Sequence, residues 1–325
     1  MWTELQENQH TQCIFSVVDM HSITLKQVPS LLRQNTYEML ACMLACGVDP
    51  SKCILFKQSD VPEHSHLYWI LSCFSTLNSL YRFPQYKEKS EGMKDIPVGF
   101  LAYPVLQAAD ILLYKATHVP VGEEQLPHIN LCSHLANKFN LIIGNVFPIP
   151  KAMTASNKSA VRIRSLRKPD KKMSKSDTDE RSRIELTDTS DMIREKFKKA
   201  MTDMRSEVTY EPNERQGVTN LILIHSLFTG LSPQAIVEDA KNLTTAEYKL
   251  VVADVVIESL KPMRDETLRL MNDIEYLDQV FERGREQATV IARDTINQVR
   301  ELIGMKTENR RIDTMNELLN KEIIA

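Results

Sequence analysis

The sequence predicts an α/β fold in which a parallel sheet covered by helices is followed by an all-α region. Strand-like and helix-like segments alternate through the first half of the 325-residue chain, the pattern that lays helices over the faces of a parallel sheet. After about Glu185, apolar residues recur at helical spacing with few strand signals. The composition, 42% hydrophobic and 26% charged, supplies ample core for a globular chain of two domains.

Residues 13–18 read as a buried strand and residues 53–56 as another. Between them, residues 30–46 carry helical periodicity that stops at Gly47, with Pro50 shortly after. Residues 67–81 form a second expected helix, and residues 107–113 open a third. In the second half, residues 191–201, 218–228, 246–260 and 264–302 are helical by pattern, and residues 306–325 are a tail of unknown role. The expected division is 1–185, 186–305 and the tail.

The longest apolar runs are far too short to cross a bilayer, and residues 1–12 lack the basic-then-apolar layout of a secretion signal or the Arg-rich look of a transit peptide. No membrane association is expected. Six cysteines (13, 42, 46, 53, 73 and 132) sit in apolar segments without a C-x-x-C pair, so reduced, buried thiols and no metal site are the expectation.

The chemistry concentrates in two places. Residues 151–183 hold eleven Lys or Arg against four acids in a chain of net charge -3, and within them stands Lys172-Met173-Ser174-Lys175-Ser176. Two lysines three apart, with serines beside them, suit a polyphosphate whose charge shifts during reaction, although a solvated basic loop has the same composition. The second place follows from the rule that ligands bind beyond the carboxyl ends of parallel strands. His21 lies just past the first strand, where it can meet a ligand or cap a loop. Asp110 stands among apolar neighbours, and a buried carboxylate needs a donor from the protein or from a ligand N–H or O–H. Gly122 before Glu123-Glu124-Gln125 reads as a turn into a helix N-terminus.

Five ordered motifs then carry a resemblance: D-x-H-S-I-T (19–24), Y-K-E-K-S (86–90), Y-P-V-L-Q-A-A-D-I-L-L-Y (103–114), V-P-V-G-E-E-Q (119–125) and K-M-S-K-S (172–176). The chain resembles the tryptophanyl-tRNA synthetases, and within them the bacterial-type enzymes of animal mitochondria, from about Trp2 to Met305. The resemblance implies a Rossmann-like catalytic domain over residues 1–185 and a helical anticodon-binding domain over 186–305. It implies a tryptophan–tRNA ligase that joins tryptophan to ATP, releases pyrophosphate, and passes the tryptophanyl group to its tRNA. By resemblance Asp110 accepts the indole N–H, a sensible pairing of a donor-only nitrogen with an acceptor-only carboxylate. Ile111, Val119 and Val121 line the apolar part of the tryptophan pocket, with His21 near the ring, and Tyr103, Gln107 and Gln125 hold the ammonium end. Gly122 and Glu124 face the ATP ribose, Ile163 and Met173 the adenine. Lys89, Lys172 and Lys175 meet phosphates, with Ser174 and Ser176 in the same ATP-binding loop. Mg2+ accompanies the ATP, held by phosphate oxygens and water rather than by a dedicated protein metal site. The implied partners are tryptophan, ATP, tRNA(Trp) and a second copy of the chain. The implied location is the mitochondrial matrix, with the cytoplasm as alternative.

One departure from the family pattern is large. The H-I-G-H-like tetrapeptide is absent from the sequence: all nine glycines are isolated, and none of the eight histidines stands in an H-x-G-H context. Its loss would remove the first strand and a helix N-terminus that meets phosphate. The sequence therefore carries the expectation of a shortened isoform or incomplete gene model with little or no activity. A smaller departure is Glu124, where the family usually has Asp. Two alternatives stay open: a catalytically dead protein that binds tRNA or dimerises, and a tyrosine–tRNA ligase, against which the motifs at 108–114 and 119–125 weigh.

Overall fold

A computed structural model describes residues 2–83, 86, 94–154, 163–175 and 177–305. Lys89, Ser176 and the tail lie outside the described residues. The chain divides into two compact units, one of residues 1–37, 49–156 and 275–325, the other of 38–48 and 157–274. The strand-bearing unit also holds residues 275–305, and the unit with residues 186–274 also holds 163–185.

In the first unit, strand β1 (Cys13–Val17) pairs in parallel with β2 (Cys53–Lys57), Cys13 facing Cys53 and Val17 facing Lys57. β3 (His118–Pro120) pairs in parallel with β4 (Lys151–Met153). The parallel arrangement is as expected, and the described strands form two pairs. After α1 (Trp2–Gln6) and the short α2 (Asp19–Ser22), the expected helix appears as α3 (Pro29–Ala45). It ends in a left-handed Gly47 (φ 94°), with Gly47 N–H on the Leu44 carbonyl and Val48 N–H on the Met43 carbonyl, the Schellman geometry that glycine permits at no steric cost.

The helix expected over 67–81 is two, α4 (Glu63–Phe74) and α5 (Leu77–Tyr81), because the Thr76 hydroxyl caps the N–H of Ser79 and starts a new helix. α6 (Val98–Leu112) begins nine residues before the expected opening and runs through Pro104. A proline inside a helix forfeits one hydrogen bond and costs about 3 kcal/mol. Here the burial of Phe100, Val105, Ala108, Ala109 and Leu112 offsets it, at roughly 2 kcal/mol for each large side chain. The turn expected at Gly122 leads through a 3-10 turn (Glu123–Gln125) into α7 (Leu126–Ile142), whose length is not legible in the sequence and which packs Ile129, Cys132, Leu135 and Phe139 into the same core.

α12 (Ile274–Leu302) closes this core with Ala288, Ala292, Ile296 and Val299. Its Gly284 passes so close to β2 that a Cβ there would sit 1.8 Å from the Leu55 carbonyl oxygen. In an isolated helix, alanine would gain about 1 kcal/mol over glycine. In this chain Gly284→Ala is expected to lose about 3 kcal/mol, since backbone must move to admit the methyl. Urea denaturation checks the sign: a midpoint equal to or above wild type would refute the close approach.

The second unit contains α8 (Ser190–Lys198), α9 (Gln216–Thr229), α10 (Pro233–Asp239) and α11 (Thr245–Met271) around Ile193, Phe197, Leu221, Ile222, Tyr248 and Val252. α11 begins in a capping box of Thr244 and Glu247 and continues through Pro262, so the expected boundary near 261–263 instead falls at Asn272–Asp273. A further expectation is corrected. Cys46 and Cys73 are exposed rather than buried, whereas Cys13, Cys53 and Cys132 are buried. Lys196 on α8 is buried against Asp188 with Nζ 2.6 and 2.7 Å from its two oxygens, so its charge is spent inside the fold.

Candidate active site

The two parallel strands β1 and β2 end side by side and each delivers a donor to Asp110. β1 runs into α2, which carries His21, and β2 runs into a 3-10 turn (Gln58–Asp60) that begins with Gln58, fully buried. Asp19 ties the two strand ends together, its carboxylate accepting the Ser59 N–H at 3.0 Å and the Ser59 hydroxyl at 2.5 Å. Gln58 is oriented by the Met20 N–H, which its Oε1 accepts at 3.2 Å, leaving its Nε2 to donate to Asp110 Oδ1 at 2.7 Å. His64, four residues after the end of that turn and fully buried on α4, places Nδ1 2.6 Å from the same oxygen. His21 Nε2 stands 2.7 Å from Asp110 Oδ2. The other nitrogen of His64 lies 2.8 Å from the Tyr114 hydroxyl.

Burial alone would push the Asp110 carboxyl upward. The hydrogen bonds from His21 and His64, with their charge when protonated, outweigh it and hold the group below its usual value. The same site acts on its neighbours: burial first, then the Asp110 charge, raises the Tyr114 phenol and pushes the Cys132 thiol up to about 12.

Tyr103, Gln107 and Asp110 lie four and three residues apart on α6 and share one face. The Tyr103 hydroxyl is 3.0 Å from His128 Nε2, its ring lies 6.4 Å from that of His21, and Gln107 Nε2 is 3.5 Å from Gln125 Oε1. Five of the residues singled out from the sequence are therefore gathered in one place. Val119 and Val121 are half-buried along β3 and just past it, and Ile111 is 8% exposed within the hydrophobic core. Gly122 lies under the Glu124 carboxylate, so close that a Cβ at 122 would fall 2.6 Å from it.

The basic segment, in the second unit, is a small antiparallel turn. Met173 N–H donates to the Ile163 carbonyl at 3.1 Å and Ser165 N–H to the Lys171 carbonyl at 2.9 Å, with Arg164 opposite Lys172. Asn220, 2% exposed on α9, holds Arg164 by both backbone groups: it accepts the N–H and donates to the carbonyl, each at 2.9 Å. This side chain acts as a substitute strand for the residue that faces Lys172. The arginines of the segment are largely consumed internally. Arg164 donates to the Pro169 carbonyl and to Gln216, Arg167 to the Lys199 carbonyl, and Arg183 to Glu185 and the Asp177 carbonyl. Lys168, Lys171, Lys172 and Lys175 are exposed. Among the described residues of 163–183 the exposed cations are these four lysines and Arg181, which donates to Asp179, a distinction that counting cations cannot make.

Gln58, His64, Tyr114 and Asn220 were not foreseen. The strand-end rule that picked out His21 after β1 applies equally to Gln58 after β2. Tyr114 closes the 103–114 motif without a role being read for it, and His64 and Asn220 gave no sequence signal, because a buried His or Asn reads as ordinary core.

Comparison with known proteins places this arrangement. The family model described as tRNA synthetases class I (W and Y) matches residues 1–261. The mitochondrial tryptophan–tRNA ligase of Caenorhabditis elegans is 46% identical over 309 residues, covering 93% of this chain and 84% of that protein. The tryptophan–tRNA ligase of Wolinella succinogenes is 41% identical over 305 residues, covering 94% and 92%. Among solved structures, the tryptophanyl-tRNA synthetase of Campylobacter jejuni complexed with ADP and tryptophan superposes with a TM-score of 0.81 at 27% identity, covering 93% of this chain and 92% of that one. The chain belongs to the class I tRNA synthetases, in their tryptophan branch.

Proposed function

We infer that this protein is a tryptophan–tRNA ligase, and the observation that carries the reading is the Asp110 carboxylate, which the protein's own donors leave short of full. An ionised carboxylate offers about four acceptor positions. Gln58, His64 and His21 use three, and the fourth, on Oδ2, is matched by an indole N–H, a donor that accepts nothing. In the proposed reaction a tryptophan carboxylate oxygen attacks the α-phosphorus of ATP, a P–O bond forms, and the bond to the leaving pyrophosphate breaks. Lys172 and Lys175 meet the charge that gathers on the pyrophosphate, Lys89 and Ser176 contribute from outside the described residues, and Ser174 stands between the two lysines. Tyr103, Gln107 and Gln125 orient the ammonium end, His21, Val119, Val121 and Ile111 surround the ring, and Gly122, Glu124, Ile163 and Met173 take the nucleoside. Mg2+ enters as part of the ATP substrate, on phosphate oxygens and water.

The aminoacyl acceptor in this reading is tRNA(Trp), with residues 186–305 as its anticodon-binding part and mitochondria as the site of action, in keeping with the Caenorhabditis elegans relative. A homodimer is part of the same proposal. Along residues 67–80, Leu67, Ile70 and Leu71 are core, while Trp69 (65% exposed) and Leu77 (63%) face outward and are available to it.

The test is tryptophan-dependent exchange of labelled pyrophosphate into ATP by the purified chain. Exchange with tryptophan and not with tyrosine supports the reading. Binding of tRNA without exchange would move it to a non-catalytic relative, and exchange driven by tyrosine would refute it.

A further inference from the structure

His64 is 0% exposed, so no ligand touches it, yet it makes the shortest contact to Asp110, 2.6 Å from Nδ1 to Oδ1. The protons in this cluster are fixed by what each group can do. An ionised Asp110 only accepts, so His64 Nδ1 must carry a hydrogen and donate it. With one proton on the ring, Nε2 is an acceptor, and the Tyr114 hydroxyl 2.8 Å away donates to it. On a ring with one proton the chain of bonds runs from Tyr114 through His64 to Asp110, and in either charge state Nδ1 donates to the carboxylate. The packing leaves the ring little choice of orientation: its centroid lies 5.8 Å from that of Phe56 and 5.4 Å from that of Tyr114. Gln58 fills the second position on Oδ1, so that oxygen is saturated from inside the protein and only Oδ2 keeps an open lone pair beside His21.

We propose that His64, backed by Tyr114, is a positioning residue that keeps Asp110 an acceptor-only carboxylate with its open lone pair on Oδ2, and thereby sets the selectivity of the pocket for an indole N–H over an isostere lacking it. The proposal rests on the reading of Asp110 as the acceptor of that N–H. Without the His64 donor, Oδ1 keeps only Gln58. The carboxylate can then rotate or take up a proton, and a protonated Asp110 offers a donor where the ligand also brings one. A site built to accept a particular hydrogen discriminates strongly because its buried polar group is otherwise left unpaired, and that discrimination weakens when the group can pair in other ways.

The experiment is calorimetric titration of the full chain with L-tryptophan and with 3-benzothienyl-L-alanine, in which sulfur replaces the indole N–H, across pH 5 to 8. Wild type is expected to prefer tryptophan. His64→Phe, which keeps a flat ring but no donor, is expected to lose about tenfold of that preference, the scale of one charged hydrogen bond, and to move the acid limb of tryptophan affinity to higher pH. His64→Asn, whose side-chain N–H can stand near the Nδ1 position, is expected to restore both. Tyr114→Phe serves if His64→Phe does not fold, and is expected to lower the preference a few-fold by releasing the ring tautomer. An unchanged preference in His64→Phe, or in Tyr114→Phe if only that variant folds, overturns the proposal, as does a His64→Asn variant no better than Phe, which would make His64 mere packing. Wild type that binds tryptophan and the isostere equally would instead remove the Asp110 reading beneath it.

Discussion

Where the chain sustains tryptophan-dependent pyrophosphate exchange, Lys172→Ala is expected to slow it by about 10²- to 10³-fold while leaving thermal stability within about a degree of wild type. The rate effect is that of removing one preorganised donor from developing charge. The absence of a stability effect follows from the geometry. Lys172 joins the turn through its backbone, opposite an Arg164 that Asn220 holds by main-chain atoms, and its side chain is exposed. Truncating it removes the charge and leaves the turn standing. Steady-state exchange rates beside a melting curve separate the two, and a variant within twofold of wild type would rule out a role for Lys172 at the phosphates. Lysine is the informative choice because the nearby arginines are bonded within the segment, so replacing Arg164 or Arg183 would lower activity by dismantling the turn.

Asp110→Asn is expected to cut tryptophan affinity about 10²-fold, the upper range for a hydrogen bond to a charged group, and also to flatten the acid dependence of stability. An amide turns one acceptor into a donor among the donors Gln58, His64 and His21, so at least one of them loses its partner. The pH effect has a definite sign. The folded-state Asp110 carboxyl titrates below its ordinary value of about 3.9, so the wild-type side chain contributes stability above that pH and loses it as pH falls through the folded value. The Asn variant has no such group and is expected to lose less stability between about pH 4 and the folded value. Denaturant midpoints at pH 7 and in that acid window check this, and parallel acid limbs in the two proteins would contradict the carboxylate's role.

The sequence was most legible where a residue's chemistry or backbone demand is local. Gly47 ends α3 because a left-handed residue is needed there, and the strand at 53–57 stands out as a buried apolar run between turns. It was least legible where burial outweighs local propensity. The expected helix bounds at 107 and at 260–264 fall near Pro104 and Pro262, yet both prolines lie inside helices because the apolar faces on either side stay in the core. Residues 67–81 carry one unbroken helical pattern and fold as two helices, since a single Thr76 cap redirects the chain.

Much the same contrast runs through the candidate site. Asp110 among apolar neighbours, His21 after a strand and two lysines three apart are chemically conspicuous wherever they fold, and together with the five motifs they determined the family and the residues to examine. What they could not determine is who satisfies whom. That Asp110 receives its donors from Gln58, His64 and His21, that Lys196 spends its charge on a buried Asp188, and that Asn220 serves as a strand partner for Arg164 were decided only by tertiary structure. The physical reason is range: these partners lie up to 89 residues apart, and a hydrogen bond is fixed by a few tenths of an ångström between atoms that only the folded chain brings together.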